Sequence, residues 1–168
     1  MRLGIIGFGK LGKSVANLLV QNGYRNNLII SDTRLKYPHY SMSETIDESD
    51  FLFLCVNPND IETVISEINK SESRNLCFYP EKTIVSCVSS LTVDFLENRL
   101  YTQQPIIHCI PKLPINIRKN IESRENNKEL GSITFLTNKK VADDLIAEFY
   151  FICDGPSINY VKTVSLYD

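Results

Sequence analysis

Short, continuous apolar runs alternate along this chain with stretches in which apolar residues recur every third or fourth position. Leu3-Gly4-Ile5-Ile6, Leu28-Ile29-Ile30, Phe51 to Val56, Thr83 to Val88 and Pro105 to Ile110 are of the first kind. Such runs are predicted to be strands buried on both faces, as in a parallel sheet. Lys10 to Gln21 is of the second kind, with Leu11, Val15, Leu18 and Leu19 on one helical stripe. Asn22-Gly23 ends it, with Gly23 as the expected left-handed cap. Ile61, Val64, Ile65 and Ile68 form the stripe of another helix, which Pro58 opens at its first turn. Ser41 to Ser49 is short and polar, one or two helical turns, and Thr92 is placed to cap a short helix carrying Phe95 and Leu96.

The character changes at Pro111. Pro111 and Pro114 bracket what reads as a stiff loop, and Arg118 to Glu129 is charged, Asn-rich and without apolar period, as a mobile connection or lid would be. Gly131 to Leu136 returns to strand. Asn138 to Phe151 reads as a helix with Val141, Leu145, Ile146 and Phe149 inward, and with Tyr150 and Phe151 as core. Ile158 to Asp168 has the pattern of an edge strand. Five strand–helix alternations predict an α/β fold: a doubly wound, Rossmann-like parallel sheet in three αβα layers. The expected organisation is one domain over residues 1–155, a strand or tail over 156–168, and no second domain, in keeping with a length of 168 residues.

Composition narrows the function classes. An apolar content of 43% supports a packed core, and a net charge of −2 without a long basic run argues against a nucleic-acid partner. The sequence has no run of 18 or more apolar residues to span a membrane, and the chain enters its first strand at once, which predicts a cytoplasmic protein without a leader. Its five cysteines (Cys55, Cys77, Cys87, Cys109 and Cys153) include no C-x-x-C pair, so buried reduced thiols are expected and no metal site.

The chemistry is concentrated in Gly7-Phe8-Gly9-Lys10-Leu11-Gly12, directly after the first strand. In a dinucleotide-binding turn the first glycine makes the tight bend, the second admits the pyrophosphate and the third packs helix on strand. The phosphates then face the free N–H groups of the helix N-terminus. The same stretch also satisfies G-x-x-x-x-G-K-[ST] through Gly7, Gly12, Lys13 and Ser14, the P-loop pattern. Asp32, at the end of the second strand, serves either reading: the ribose-binding acid of a dinucleotide site, or a Walker-B acid. For a dinucleotide, Asp32 favours NAD by accepting from the ribose 2′-OH, whereas Arg34 suits the 2′-phosphate of NADP. The two point in opposite directions.

In a doubly wound sheet, ligands bind at the carboxyl ends of the strands. Gly7–Gly12, Asp32-Thr33-Arg34, Asn57-Pro58, Ser89-Ser90 and Pro111–Pro114 are therefore expected to line one crevice. Taken in order, these loops resemble the cofactor domain of pyrroline-5-carboxylate reductase. That family's opening strand and Gly-x-Gly-x-Met-Gly turn correspond to Arg2 through Gly12, with Leu11 for Met; its Val-Lys-Pro is similar to Val56-Asn57-Pro58. Its small-residue turn after the fourth strand resembles Ile84 through Thr92, its Met-Pro-Asn-Thr-Pro loop resembles Ile110-Pro111-Lys112-Leu113-Pro114, and its later strand and helix match Gly131 to Gly155. More distantly the chain is similar to prephenate dehydrogenases and F420-dependent NADP reductases.

The resemblance implies NAD or NADP as cofactor and hydride transfer to the imine of pyrroline-5-carboxylate, the step that makes proline. It implies cofactor contacts from Gly7, Phe8, Gly9, Lys10, Leu11, Gly12, Asp32, Thr33, Arg34, Val56, Asn57 and Pro58. The family's helical second domain, which forms the dimer and closes over the imine, has no counterpart here. Reduction would then need a helical partner chain or a homodimer, and a sensor or catalytically degenerate dinucleotide-binding protein is the alternative. Two departures stand out: Asn57 for Lys, and Lys112 with Leu113 for Asn and Thr. Lys112 is the weak candidate for a catalytic role, holding a substrate carboxylate, against the plainer reading of a solvated loop lysine. His108 reads as a buried strand histidine ahead of a general acid, His39 as surface loop, and Lys13 and Ser14 as helix surface.

Overall fold

The computed structural model describes residues 1–35, 40–74, 82–101, 104–112, 132–153 and 159–162. The expected edges of the alternation hold closely over the first hundred residues. Strand β1 (Leu3–Ile6) leads into helix α1 (Lys10–Gln21), β2 (Leu28–Ser31), α2 (Met42–Glu48), β3 (Phe51–Leu54) and α3 (Ile61–Arg74). Then come β4 (Thr83–Ser86), α4 (Val93–Glu97), β5 (Ile106–Lys112), β6 (Ser132–Thr137), α5 (Asp143–Cys153) and β7 (Asn159–Lys162).

The seven strands form one sheet in the order β2-β1-β3-β4-β5-β6-β7. From β2 to β5 every pair is parallel, with Ile5 opposite both Ile30 and Phe53 at the centre. These strands carry the continuous apolar runs, and β1, β3 and β4 are buried at every position. Helices α1 and α5 cover one face through Val15, Leu19, Ile146, Phe149 and Ile152. Helices α2, α3 and α4 cover the other through Ile46, Ile61, Val64, Ile65, Ile68 and Leu96. This is the doubly wound, three-layer arrangement that the alternation predicts.

Local signals fix the helix ends. Gly23 has φ +91°, the left-handed conformation that stops α1. Ser41 and Glu44 form a reciprocal capping box at α2, and Thr92 accepts from the Phe95 N–H at α4. Pro58 opens a single 3-10 turn, Pro58–Asp60, from which α3 continues.

Three differences lie in the later part of the chain. First, β6 runs antiparallel to β5, from Ile107↔Thr137 to Lys112↔Ser132, so the sheet is mixed beyond its fifth strand. The alternating pattern has no means of showing this, because it records burial and not strand direction. Second, β5 continues through Pro111 to Lys112, where a loop was expected. β4 pairs β5 only as far as His108, so beyond it a residue without an N–H breaks no ladder on that side. Pro114 and the charged stretch 118–129 lie outside the described residues.

Third, the last helix starts at Asp143 and not at Asn138. The Asn138 side chain is engaged with backbone instead. Its Oδ1 accepts from the Ile106 N–H at 3.0 Å, and its Nδ2 donates to the Gln104 carbonyl and the Glu97 carboxylate, both at 2.9 Å. Phe151 also departs from expectation, being 76% exposed, since α5 turns Ile146, Phe149, Ile152 and Cys153 inward. Tyr150 is half-buried against the core. The predicted final strand appears as β7, Asn159–Lys162, parallel to β6 at the sheet edge; residues 154–158 and 163–168 lie outside the description.

Candidate functional site

A cleft of about 630 Å³ opens at the carboxyl ends of β1, β2 and β3. Its walls are the glycine turn, the segment after β2, the segment after β3, and the facing side of α2 and α3. Backbone bonds fix the floor. The Gly7 N–H donates to the Ser31 carbonyl at 2.9 Å, and the Cys55 N–H donates to the Ile6 carbonyl at 2.8 Å. The turn is thereby held between its two neighbouring strands.

The three glycines of the turn have different reasons to be glycine. Gly7 has φ +92°, and a Cβ there would lie 2.6 Å from the Cys55 carbonyl oxygen. At Gly12 a Cβ would lie 1.9 Å from the Gly7 carbonyl oxygen, so the helix crosses its own entry turn only with glycine. Gly9 is not constrained by the protein in this way. A Cβ there would have only Arg34 Nη2 near it, at 3.6 Å, an ordinary contact. Gly9 also has negative φ, −73°, which any residue adopts. The room in front of Gly9 is open to the cleft.

Gly9 is the N-cap of α1 and supplies no side chain to its first turn, which also carries no acidic residue. The first-turn N–H groups of α1 therefore point at the cleft without a side-chain acceptor, under the positive end of a 12-residue helix dipole. That arrangement suits a phosphate or diphosphate.

The P-loop pattern is not realised. Only Gly7, Phe8 and Gly9 separate β1 from α1, so Gly12, Lys13 and Ser14 lie inside the helix. Lys13 Nζ sits 5.9 Å from the centroid of the Phe8 ring, and Ser14 Oγ donates to the Lys10 carbonyl at 3.0 Å. Both are helix-surface residues, as the plainer reading had them.

Asp32 and Arg34 make the electrostatic centre of the site. The Asp32 side chain is 5% exposed and the Arg34 side chain 67%. Arg34 engages both carboxylate oxygens, Nε to Oδ1 at 3.0 Å and Nη2 to Oδ2 at 2.7 Å. The Arg34 and Phe8 backbone N–H groups donate to the same carboxylate at 2.8 and 2.5 Å. The Arg34 side-chain bond, together with these N–H groups, outweighs burial and holds the Asp32 carboxyl well below its usual range. Asp32 is ionised at any physiological pH.

Of the residues singled out from sequence, Gly7, Gly9, Lys10, Leu11, Asp32, Thr33, Arg34, Val56 and Asn57 line this cleft. Phe8, Gly12 and Pro58 shape it from behind: Phe8 through its bond to Asp32, Gly12 through the helix crossing, Pro58 through the 3-10 turn. Met42, Asp60 and Thr63 also line the cleft and were not singled out. Each lies on a helical segment facing the sheet end, a placement that only the packing of α2 and α3 decides.

Among the described residues, the fourth loop does not line this cleft, and the expected fifth wall falls on residues whose side chains are not described. Ser89 and Ser90 are exposed beyond β4, and Lys112 ends β5, its side chain outside the described residues, as are Leu113 and Pro114. His39 and Cys77 also lie outside the description. His108 is 3% exposed, across from Ser86, and burial pushes its imidazole below the usual range, the opposite of what a proton donor near neutral pH needs. Cys55, Cys87, Cys109 and Cys153 are buried and unbridged. The Cys87 thiol beside it, with burial, pushes the Cys109 thiol well up. Among the described residues no group of His, Cys, Asp and Glu is placed to hold a metal ion, and no helix is long and apolar enough to cross a membrane.

Comparison with known proteins fits this geometry. A family model described as NADP oxidoreductase, coenzyme F420-dependent, matches residues 2–89, the stretch that contributes all three loop walls of the cleft. Pyrroline-5-carboxylate reductase 2 of Macaca fascicularis is 28% identical over 137 residues, covering 71% of this chain and 41% of that protein. Pyrroline-5-carboxylate reductase of Corynebacterium melassecola is 25% identical over 133 residues, covering 72% and 48%. The chain thus spans less than half the length of these curated relatives. The fold is shared with the crystal structure of Plasmodium falciparum pyrroline carboxylate reductase with NADP bound, at a TM-score of 0.75 and 20% identity, over 96% of this chain and 58% of that one. With the family match spanning more than half of its residues, the chain belongs to the coenzyme F420-dependent NADP oxidoreductase family and is similar, within it, to the amino-terminal part of pyrroline-5-carboxylate reductases.

Proposed function

We propose that this chain is the NAD(P)-binding part of a pyrroline-5-carboxylate reductase-type oxidoreductase. The single observation that carries the reading is Gly9. Nothing in the protein's own packing or backbone conformation requires a glycine there, yet the position fronts an uncapped helix N-terminus inside the cleft. A ligand brought into backbone contact at that point supplies the missing reason. The residues present fit a dinucleotide: first-turn N–H groups of α1 for the diphosphate, Asp32, Thr33 and Arg34 for the adenosine ribose, and Val56 with Asn57 along the far wall.

When bound, the nicotinamide supplies hydride to an electrophilic carbon, in the proposed reaction the imine carbon of a small cyclic imine. The chain's own residues bind and orient the coenzyme. Transfer also requires donor and acceptor held about 3–3.5 Å apart with water excluded. The relatives are more than twice as long as the matched region. The residues that close the imine site then lie outside the matched region, with a helical partner or a second copy of this chain as the proposed source and Lys112, at the end of β5, as the weak candidate to hold a substrate carboxylate. The buried, unbridged thiols agree with a cytoplasmic setting.

Titration with NADH, NADPH and ATP·Mg²⁺ tests the binding claim, with expected saturation by a dinucleotide and none by ATP·Mg²⁺. Tight ATP·Mg²⁺ binding without dinucleotide binding would overturn it. Pyrroline-5-carboxylate-dependent NAD(P)H oxidation, measured alone and with co-expressed neighbouring genes, tests the reaction. Dinucleotide binding with no turnover under any pairing would leave a non-catalytic binding protein.

A further inference from the structure

Three thiols stand side by side across the middle of the sheet. Leu54 pairs with Ser86, and Ser86 pairs with His108. The next residues along these strands are Cys55, Cys87 and Cys109. Together they form one row that faces the layer of α1 and α5, in the same apolar cluster as Cys153 of α5. Adjacent strands lie about 4.7–4.9 Å apart, inside the roughly 4.4–6.8 Å Cα separation that a disulfide spans. The Cys87 thiol is in hydrogen-bond contact with both neighbours. Contact with Cys109 lowers it, but contact with Cys55 and burial outweigh that and push it well up. Cys87 therefore stays a protonated thiol until a neighbour is oxidised. Cys55 differs from the other two in its position, because it lines the cleft. It is also the seat of the glycine turn. Its N–H donates to the Ile6 carbonyl at 2.8 Å, and its own carbonyl oxygen lies 2.6 Å from where a Gly7 Cβ would be. Its Cβ lies 3.4 Å from where a Gly12 Cβ would be.

We propose that Cys55 and Cys87 form a reversible disulfide when a hydroperoxide enters the cleft, and that this bond weakens dinucleotide binding. The second half of the proposal rests on the dinucleotide reading of the glycine turn. The Cys55 sulfur attacks the peroxide, the O–O bond breaks, and Cys55 becomes a sulfenic acid while the peroxide leaves as an alcohol, or as water from hydrogen peroxide. The Cys87 sulfur then attacks the Cys55 sulfur. The S–O bond breaks, the S–S bond forms, and the hydroxyl leaves with the Cys87 proton as water. The two thiols lose two electrons and the peroxide gains them. The sheet order sets the direction of the effect. Strand β3 lies between β1 and β4, so a bond from Cys55 to Cys87 draws the end of β3 toward β4 and away from β1 and its turn. Cys109, on the far side of Cys87, touches no part of the cleft wall.

The test treats the intact chain with hydrogen peroxide. Cys77, outside the described residues, is replaced by Ser in every sample so that it supplies no competing thiol. Mass spectrometry of the unreduced protein is expected to show a loss of two hydrogens and a bridge joining the Cys55 and Cys87 peptides. Fluorescence titration with NADPH and with NADH is expected to show binding at least about fivefold weaker after treatment, and restored by dithiothreitol. Cys87→Ala should keep its affinity through the same treatment, and Cys109→Ala should respond as the parent does. The peptide map and the reversal by dithiothreitol need no core variant, so they decide the matter even if Cys87→Ala does not fold. No bridge, a bridge from Cys87 to Cys109 instead, or a Cys55–Cys87 bridge that leaves affinity unchanged overturns this proposal alone. Failure of the reduced protein to bind either coenzyme overturns the site reading and the proposed coupling with it, while the peptide map still decides the bridge.

Discussion

At the scale of single residues, the glycine turn separates folding from binding. Gly12→Ala places a methyl 1.9 Å from a backbone carbonyl that has no room to yield. It is expected to destabilise the protein by about 1–3 kcal/mol or more. Gly9→Ala meets no such obstacle and should leave the melting temperature nearly unchanged while weakening dinucleotide binding at least about tenfold. Paired thermal melts and titrations check both, and equal loss of stability in the two variants would contradict the assignment. His108 gives a pH signature. Its folded-state affinity for a proton is depressed by burial from an ordinary pKa of 6.5. Above that value His108 is neutral folded or unfolded and has no effect on stability. As pH falls below it, the unfolded chain takes up the proton first and stability declines. Urea midpoints between pH 7.5 and pH 5.5 should fall more steeply in the parent protein than in His108→Gln.

At the scale of elements, the second half of the sheet depends on two anchors. Phe149 of α5 stacks between Phe51 and Phe53, with both centroid separations 6.5 Å, and is 1% exposed. Phe149→Ala is expected to cost about 3–5 kcal/mol through lost burial and the cavity left behind. Asn138 joins α4, the start of β5 and the end of β6 through three hydrogen bonds. Asn138→Ala leaves the buried Ile106 N–H without its side-chain acceptor and is expected to cost about 1–3 kcal/mol. Equilibrium urea denaturation measures both. A surface change on the same helix, Phe151→Ser, should change stability by less than about 0.5 kcal/mol, since that ring faces solvent.

At the scale of the whole molecule, the cleft lies where β2, β1 and β3 end, and a bound coenzyme ties together segments distant in sequence. Such a ligand binds the folded state alone and raises its stability by mass action, about 2.7 kcal/mol at a hundredfold excess over Kd. For a chain of 168 residues that corresponds to a rise of roughly 5–10 °C in melting temperature. The preferred dinucleotide should produce that shift in thermal melts, and ATP·Mg²⁺ should not. An equal shift with ATP·Mg²⁺ would point back to the P-loop pattern.

The primary structure on its own determined the alternation of elements, the helix cap at Thr92, the left-handed stop at Gly23 and the location of the glycine turn. These depend on neighbours a few residues apart, so local chemistry suffices. It also placed nine of the cleft-lining residues, because loops after parallel strands must gather at one end of the sheet. Other features needed the folded chain. Whether Gly7 to Ser14 is a dinucleotide turn or a P-loop depends on where α1 begins, and the crossing of Gly12 over the Gly7 carbonyl decides that. The direction of β6 and the release of Asn138 from α5 depend on pairing with β5, which no local pattern encodes. The roles of Asp32 and Arg34 point in opposite directions along the sequence. The folded chain adds that the Phe8 N–H, brought in from 24 residues away, joins Arg34 on the Asp32 carboxylate.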